Sequence, residues 1–363
     1  MKKIEGFSKG MGIGGWLTNY KRFNTLPDKC KKVITKGDME HFETYISACD
    51  AQNIASMGVD HVRICFDQLV MEKEPYVYRD EIFRLLKNFV SECRSQGLRV
   101  VLNLHKAIGN YCDIAEDITL FDSAELQNRF ISLWLKLEDD YADFDDVMFE
   151  LLNEVRDVEA DLWNNLAENT VNALRKKNSN RKIIIGSTCW NNTAQLNDLR
   201  IYDDENIIYT FHNYAPFEFT HQQSVLQANC MFYNRKLVYP CDDIERYRDY
   251  YRLTSGYDNA YSEFDKIDID VLRKQMEGAK QFIEKYPHKI LWCGEFGTIR
   301  HCDMTSRENW MRDMIKILSE WDIPYCVWNY LSTPNDGNRF SLSDDETRQL
   351  LSAKMKKIIN GDV

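Results

Sequence analysis

Two glutamates each close a short apolar run, Val147-Met-Phe-Glu-Leu-Leu-Asn153-Glu154 and Lys289-Ile-Leu-Trp-Cys-Gly-Glu295. Each run is too short for a buried helix and rich in β-forming residues, which predicts a buried strand. A carboxylate at the C-terminal tip of such a strand is paired or reactive, because an isolated charge is too costly to bury. Two carboxyls facing one pocket suit cleavage of a glycosidic bond. One, protonated, gives its proton to the leaving oxygen, while the other, ionised, attacks or stabilises the oxocarbenium-like carbon.

Polar endings recur along the chain. Arg63 sits in Val62-Arg63-Ile-Cys-Phe, and further runs end in Asn103-Leu-His105, Phe211-His212-Asn213-Tyr214 and Trp328-Asn329-Tyr330. Gathered on one rim, these groups would be costly to bury without a task. Arg63 would hold a neighbouring carboxylate ionised, Asn153 would hydrogen-bond a sugar hydroxyl, and Trp328 offers a flat apolar face to a sugar ring.

The elements that must position them alternate throughout. Strands are expected at 10–17, 59–66, 98–105, 147–154, 182–187, 207–214, 289–295 and 324–329. Helical patterns fall at 38–57, 79–96, 123–141, 159–177, 269–285, 305–321 and 345–359. Eight strands in this alternation give an α/β chain folded as a (β/α)₈ barrel, whose strand ends converge on one face. The stretch from Tyr214 to Lys289 is far longer than one unit needs, and 222–264 is crowded with aromatics. A structureless loop of that length is improbable. The expectation is a single catalytic barrel over 1–363 carrying a small, mostly helical subdomain at 215–266, after the sixth strand.

Composition narrows the partners. A net charge of −11 argues against nucleic acid and anionic membranes, and 44 % hydrophobic residues can fill a substantial core. The eleven cysteines are scattered without a C-x-x-C pair, which reads as reduced core cysteine and no zinc site. Met1-Lys-Lys-Ile-Glu-Gly lacks the apolar region of a signal peptide, so a cytoplasmic chain is expected, or export by a route not visible in it. The sequon Asn191-Asn192-Thr193 is read as coincidence.

Gly10-Met-Gly12-Ile-Gly14-Gly15 fits a dinucleotide fingerprint, but no capped helix follows. Small residues leaving room inside a strand are the better account, so no cofactor is expected. His41, His61, His221, His288 and His301 lack metal-ligand spacing, and no metal is expected. His61 and His288 are assigned to surface or strand-edge polarity, and His301 to the pocket rim. Trp16, Tyr20, Phe23 and Trp190 are candidates for sugar stacking, balanced against simple packing.

In order, Arg63, His105, Asn153-Glu154, His212-x-Tyr214, Glu295 within Gly-Glu-Phe-Gly, and Trp328 resemble the strand-end signature of glycoside hydrolase family 5. The resemblance runs from Gly10 to the last helix. Gly14-Gly15-Trp16-Leu17, Phe217-x-Phe219-Thr220-His221-Gln222 and Tyr233-Asn234-Arg235 look like clostridial endoglucanases of that family. It implies retention, with Glu154 as acid/base, Glu295 as nucleophile and Arg63, His105, Asn153, His212, Tyr214 and Trp328 in support. It also implies β-1,4-glucan as substrate for a chain expected to be monomeric. Cys189-Trp190 and Asn213 depart from the pattern and bear on subsite preference. Another β-glycan hydrolase (mixed-linkage glucanase, mannanase or exo-glucosidase) is the alternative, and a non-catalytic carbohydrate-binding barrel a distant one.

Overall fold

A computed structural model describes residues 3–18, 34–112, 117–333 and 336–362. Within them a closed barrel is formed by β1 (Lys9–Leu17), β2 (His61–Asp67), β3 (Arg99–Lys106), β4 (Val147–Glu150), β5 (Ile183–Gly186), β6 (Ile207–His212), β7 (Ile290–Phe296) and β8 (Tyr325–Val327). All pairings are parallel, each strand lies beside the next, and β8 closes on β1.

The strands read as unbroken apolar runs because both faces are covered. Ile64, Leu102, Phe149, Ile185 and Phe211 belong to the large core shared with the surrounding helices. Val101, Met148, Ile184, Ile208, Trp292 and Cys326 form a second cluster, closed by Phe7. The glycines of β1 make room inside the barrel. A Cβ at Gly10 would lie 2.2 Å from His61 Nε2, and at Gly12 and Gly14 it would lie 2.8 and 2.4 Å from the Trp328 ring.

Strand ends differ from expectation. β4 stops at Glu150 and β6 at His212, so Glu154 and Tyr214 stand on loop segments beyond the ladder. The helix expected at 38–57 is two helices, Lys36–Thr44 and Ala48–Ser56. Ser47 and Asp50 form a capping box that starts the second one, a local signal that outweighed the longer apolar pattern. The pattern at 269–285 is likewise broken at Met276. Of 345–359, only Ala353–Ile359 is helical. Asp345 instead accepts the Ser332 N–H at 3.1 Å and Arg300 Nη1 at 3.0 Å, which fixes the loop after β8.

Between β6 and β7 run helices Phe217–Thr220, Ala228–Tyr233, Glu245–Ser255, Ile269–Gln275 and Glu277–Lys285. Tyr233, Tyr250, Tyr251 and Tyr261 meet in edge-on pairs. These rings are continuous with the barrel's own core, and the Tyr239 hydroxyl donates to Asp313 at 3.0 Å.

Glu218, 1 % exposed, accepts the hydroxyls of Tyr261 (2.7 Å) and Tyr251 (3.2 Å). Burial, opposed by these hydrogen bonds, pushes its pKa from 4.5 up to about 7. A raised native pKa means stability that is fully present below the unfolded value and is lost as pH rises through the native one. Relative to Glu218→Gln, the wild type is expected to lose on the order of 3 kcal/mol between pH 4 and pH 8. Urea denaturation of both proteins across that range checks it, and parallel curves would contradict it.

Candidate active site

The barrel's layers decide which side chains meet. On β2, β3 and β4 the inward positions above the apolar cluster are taken by Arg63, Asn103 and Glu150, all without solvent exposure. On β7 strict alternation would aim Gly294 inward and Glu295 out. The β6–β7 register skips a residue there: Phe211 pairs with Cys293, but His212 pairs with Glu295. This bulge turns the Glu295 carboxyl into the barrel beside His212. Gly294 is the residue that permits it, since a Cβ there would come within 2.6 Å of Thr210 Oγ1.

Arg63 organises the floor. Its Nε and Nη2 donate to Glu150 Oε2 and Oε1 at 2.6 and 2.9 Å. Nη1 donates to Glu295 Oε2 at 2.7 Å, and Nη2 also to Asn153 Oδ1 at 2.6 Å. A weak contact to Cys65 Sγ at 3.7 Å takes the last N–H. Burial pulls against this charge, but Glu150 and Glu295 hold the guanidinium firmly ionised.

The other Glu295 oxygen, Oε1, accepts the Tyr214 hydroxyl at 2.6 Å. Burial and the Glu295 charge push the Tyr214 pKa far up, so the phenol stays a donor. Glu154 is held differently: its Oε1 lies 2.8 Å from His212 Nδ1. Burial lowers the His212 pKa to about 4, so a neutral imidazole faces Glu154. A carboxylate oxygen of Glu154, one of Glu295 and a His212 nitrogen lie within 4.8 Å of one another. Such a trio can bind metal elsewhere, but here Glu295 and His212 already spend these atoms on Arg63, Tyr214 and Glu154.

These groups open onto a cleft of about 750 Å³. His105, Asn153, Glu154, His212, Tyr214, Glu295 and Trp328 line it, while Arg63 lies beneath. The Trp328 indole stacks on His105 at 5.6 Å and 6°. Burial, with the Arg63 charge, drives the His105 pKa well below its usual value. All eight residues singled out from the sequence therefore gather at one place.

Other expectations fare differently. Trp190 does line the cleft, 44 % exposed, with its Nε1–H tied to Cys112 O at 2.8 Å. Trp16 is not a platform: it lies buried within β1, donates to Phe42 O at 2.7 Å and packs edge-on against Phe89. Tyr20 and Phe23 lie outside the described residues. His61 is not surface polarity but a fully buried ring against Phe7 and Trp292. His301 is exposed and does not reach the cleft. Two residues escaped sequence reading. Glu150 shares inward parity with Met148, and that parity was a usable signal. Asn191 is fully buried, which removes it as a glycan acceptor, and nothing local announced its role.

Among the described residues no helix is long and apolar enough to cross a membrane. The family model for cellulases, glycosyl hydrolase family 5, matches residues 27–333. Endoglucanase C of Acetivibrio thermocellus is 34 % identical over 332 residues, covering 89 % of this chain and 91 % of the relative. Cellodextrinase A of Ruminococcus flavefaciens is 28 % identical over 332 residues, covering 89 % and 85 %. The solved endoglucanase Cel5A of Thermotoga maritima shares the fold with a TM-score of 0.72 at 22 % identity, over 98 % of this chain and 97 % of that one. A closed eight-stranded barrel bearing this polar rim, matched by that family model over most of its length, belongs to glycosyl hydrolase family 5.

Proposed function

We propose that this chain is a retaining endo-β-1,4-glucanase in which Glu295 is the nucleophile and Glu154 the acid/base. The observation that carries the reading is the approach of a Glu154 oxygen to a Glu295 oxygen within 4.8 Å. Retaining enzymes hold their carboxyl groups roughly 5–5.5 Å apart, whereas inverting ones leave about 6.5–9.5 Å for a water. The unequal surroundings support the division of roles. Glu295 receives Arg63 at one oxygen and Tyr214 at the other, which fixes the direction of the nucleophile. Glu154 Oε1 meets a neutral imidazole at His212 Nδ1, compatible with both of the states it must adopt.

In the first step a Glu295 oxygen attacks the anomeric carbon. The bond to the leaving oxygen breaks, and Glu154 gives that oxygen its proton. In the second step Glu154 takes a proton from water, and the oxygen so activated displaces Glu295 from the sugar. Trp328 stacks under the reacting ring, and Asn153 meets one of its hydroxyls.

The segment 215–266 is read as a helical subdomain inserted in a single catalytic barrel. Phe217, Leu226, Gln227, Tyr251 and Tyr261 bring it to the cleft wall. A chain working in a reducing compartment fits the free, buried thiols of Cys65, Cys93, Cys293 and Cys326.

Cello-oligosaccharide hydrolysis followed by proton NMR is expected to release the β-anomer first, with internal cuts in carboxymethyl-cellulose lowering viscosity early. Initial α-anomer would overturn retention. Because one relative is named a cellodextrinase, product profiles on barley β-glucan, glucomannan and short cellodextrins separate the endo reading from its alternatives.

A further inference from the structure

After β5 the chain enters a turn in which Cys189, Trp190 and Asn191 all have left-handed backbones, with φ of 52°, 59° and 57°. A non-glycine residue in this region costs of order 1–3 kcal/mol and persists only where its surroundings over-determine it. Here they do. The Trp190 N–H donates to Val155 O at 2.8 Å, its indole N–H to Cys112 O, and the Ser187 hydroxyl to Asn192 O at 2.7 Å. The product of this strained turn is the position of one side chain, the Asn191 amide.

That amide nitrogen lies 2.5 Å from the Asn153 main-chain oxygen and 3.2 Å from His212 Nε2. Its own Oδ1, buried, has no partner. A flipped amide would press oxygen against the Asn153 carbonyl oxygen, so the orientation is forced, even with an orphaned Oδ1. Gly186 is shaped to it: a Cβ there would stand 1.8 Å from Asn191 Oδ1.

An imidazole nitrogen that receives an N–H must carry the lone pair. In a neutral ring the proton then sits on the other nitrogen. For His212 that nitrogen is Nδ1, the atom 2.8 Å from Glu154 Oε1. We infer that Asn191 is a positioning residue of the reaction: it locks His212 as the Nδ1–H tautomer, so Glu154 Oε1 is always an acceptor and the transferable proton is confined to Oε2. This rests on the acid/base reading of Glu154. The charges that His212 feels include Glu154, Glu295, Glu150 and Arg63, with the neutral His105 nearby. None of them bonds to Nε2. Ionised Glu154 favours the Nδ1–H by itself, but protonated Glu154 does not, so in the state that serves as acid the tautomer choice falls to Asn191.

The test is made on the intact protein labelled with ¹⁵N-histidine, the His212 signals being assigned by their loss in His212→Gln. Wild type is expected to show a protonated Nδ1 and a lone-pair Nε2. Asn191→Gly tolerates the backbone and removes the donor. Asn191→Asp keeps the shape but can only accept at Nε2. At a pH where Glu154 is protonated, both should move the proton to Nε2.

Losing the Nδ1–H removes a donor that favours ionised Glu154, and a lone pair in its place favours the protonated form. The alkaline limb of kcat/KM should therefore move to higher pH. At the wild-type optimum, kcat/KM on unactivated cello-oligosaccharides should fall about tenfold in Asn191→Gly, while that on dinitrophenyl cellobioside, whose leaving group needs no proton, stays within about twofold.

A wild-type Nε2–H tautomer, an unmoved tautomer in both variants, or equal losses on the two substrates would overturn the inference. Failure of the Glu154 assignment itself would show separately: Glu154→Ala given azide and an activated aryl cellobioside would not yield the β-glycosyl azide, a product that does not involve Asn191.

Discussion

Removing the Glu295 carboxyl as Glu295→Ala is expected to abolish hydrolysis of every β-glucan, while added azide restores turnover of an activated aryl cellobioside and yields the α-glycosyl azide. Azide fills the space of the lost carboxylate and attacks from the same face, with one displacement in place of two. Glu154→Ala should behave oppositely. Attack by Glu295 survives when the leaving group needs no proton, so glycosyl–enzyme accumulates for want of a base. Azide needs no base and enters from the other face, giving the β-glycosyl azide. On unactivated cello-oligosaccharides the Glu154 variant should lose about 10²–10⁴-fold, the usual worth of general acid–base catalysis. Carbohydrate NMR of the azides decides the matter: reversed anomers would exchange the two roles, and full activity of the Glu154 variant on cellulose would end the assignment.

Arg63 should show the largest effect on stability. It is the shared cation of two buried carboxylates, and one of them, Glu150, has no solvent exposure at all. Arg63→Met leaves Glu150 uncompensated, at an expected cost of about 3–5 kcal/mol. Replacing both partners by apolar residues, Arg63→Met with Glu150→Leu, should return most of that stability, because a buried pair is often no better than a packed apolar one. Activity should not return. Glu295 and Asn153 would still lack the N–H groups that aim them. Denaturation midpoints and kcat/KM on cello-oligosaccharides, measured on both variants, separate the two roles. A double variant that regains activity would show that Arg63 serves only to neutralise Glu150.

Much of this protein was written locally. Apolar runs with β-forming residues, separated by amphipathic helices, dictated eight strand–helix units, since a strand covered on both faces must be apolar throughout. Polar residues at strand ends survive only where a pocket uses them, so type and position pointed to the strand tips, and the family resemblance selected Arg63, His105, Asn153, Glu154, His212, Tyr214, Glu295 and Trp328 among them. The glycines at 10, 12 and 14 were likewise legible as spaces for larger neighbours.

What tertiary structure alone decided depends on register and on partners remote in the chain. The skipped residue at Gly294 turns Glu295 inward, and it exists only in the pairing of β6 with β7. Glu150 has meaning only opposite Arg63, 87 residues away. Trp16, balanced in sequence between stacking and packing, and His61, assigned there to surface or strand-edge polarity, are core residues in space. Asn191 acquires its task from a left-handed turn held by groups on two other loops. Hydrophobic periodicity is a property of neighbours in sequence. The aim of a buried polar group is set by hydrogen bonds that only the closed barrel brings within reach.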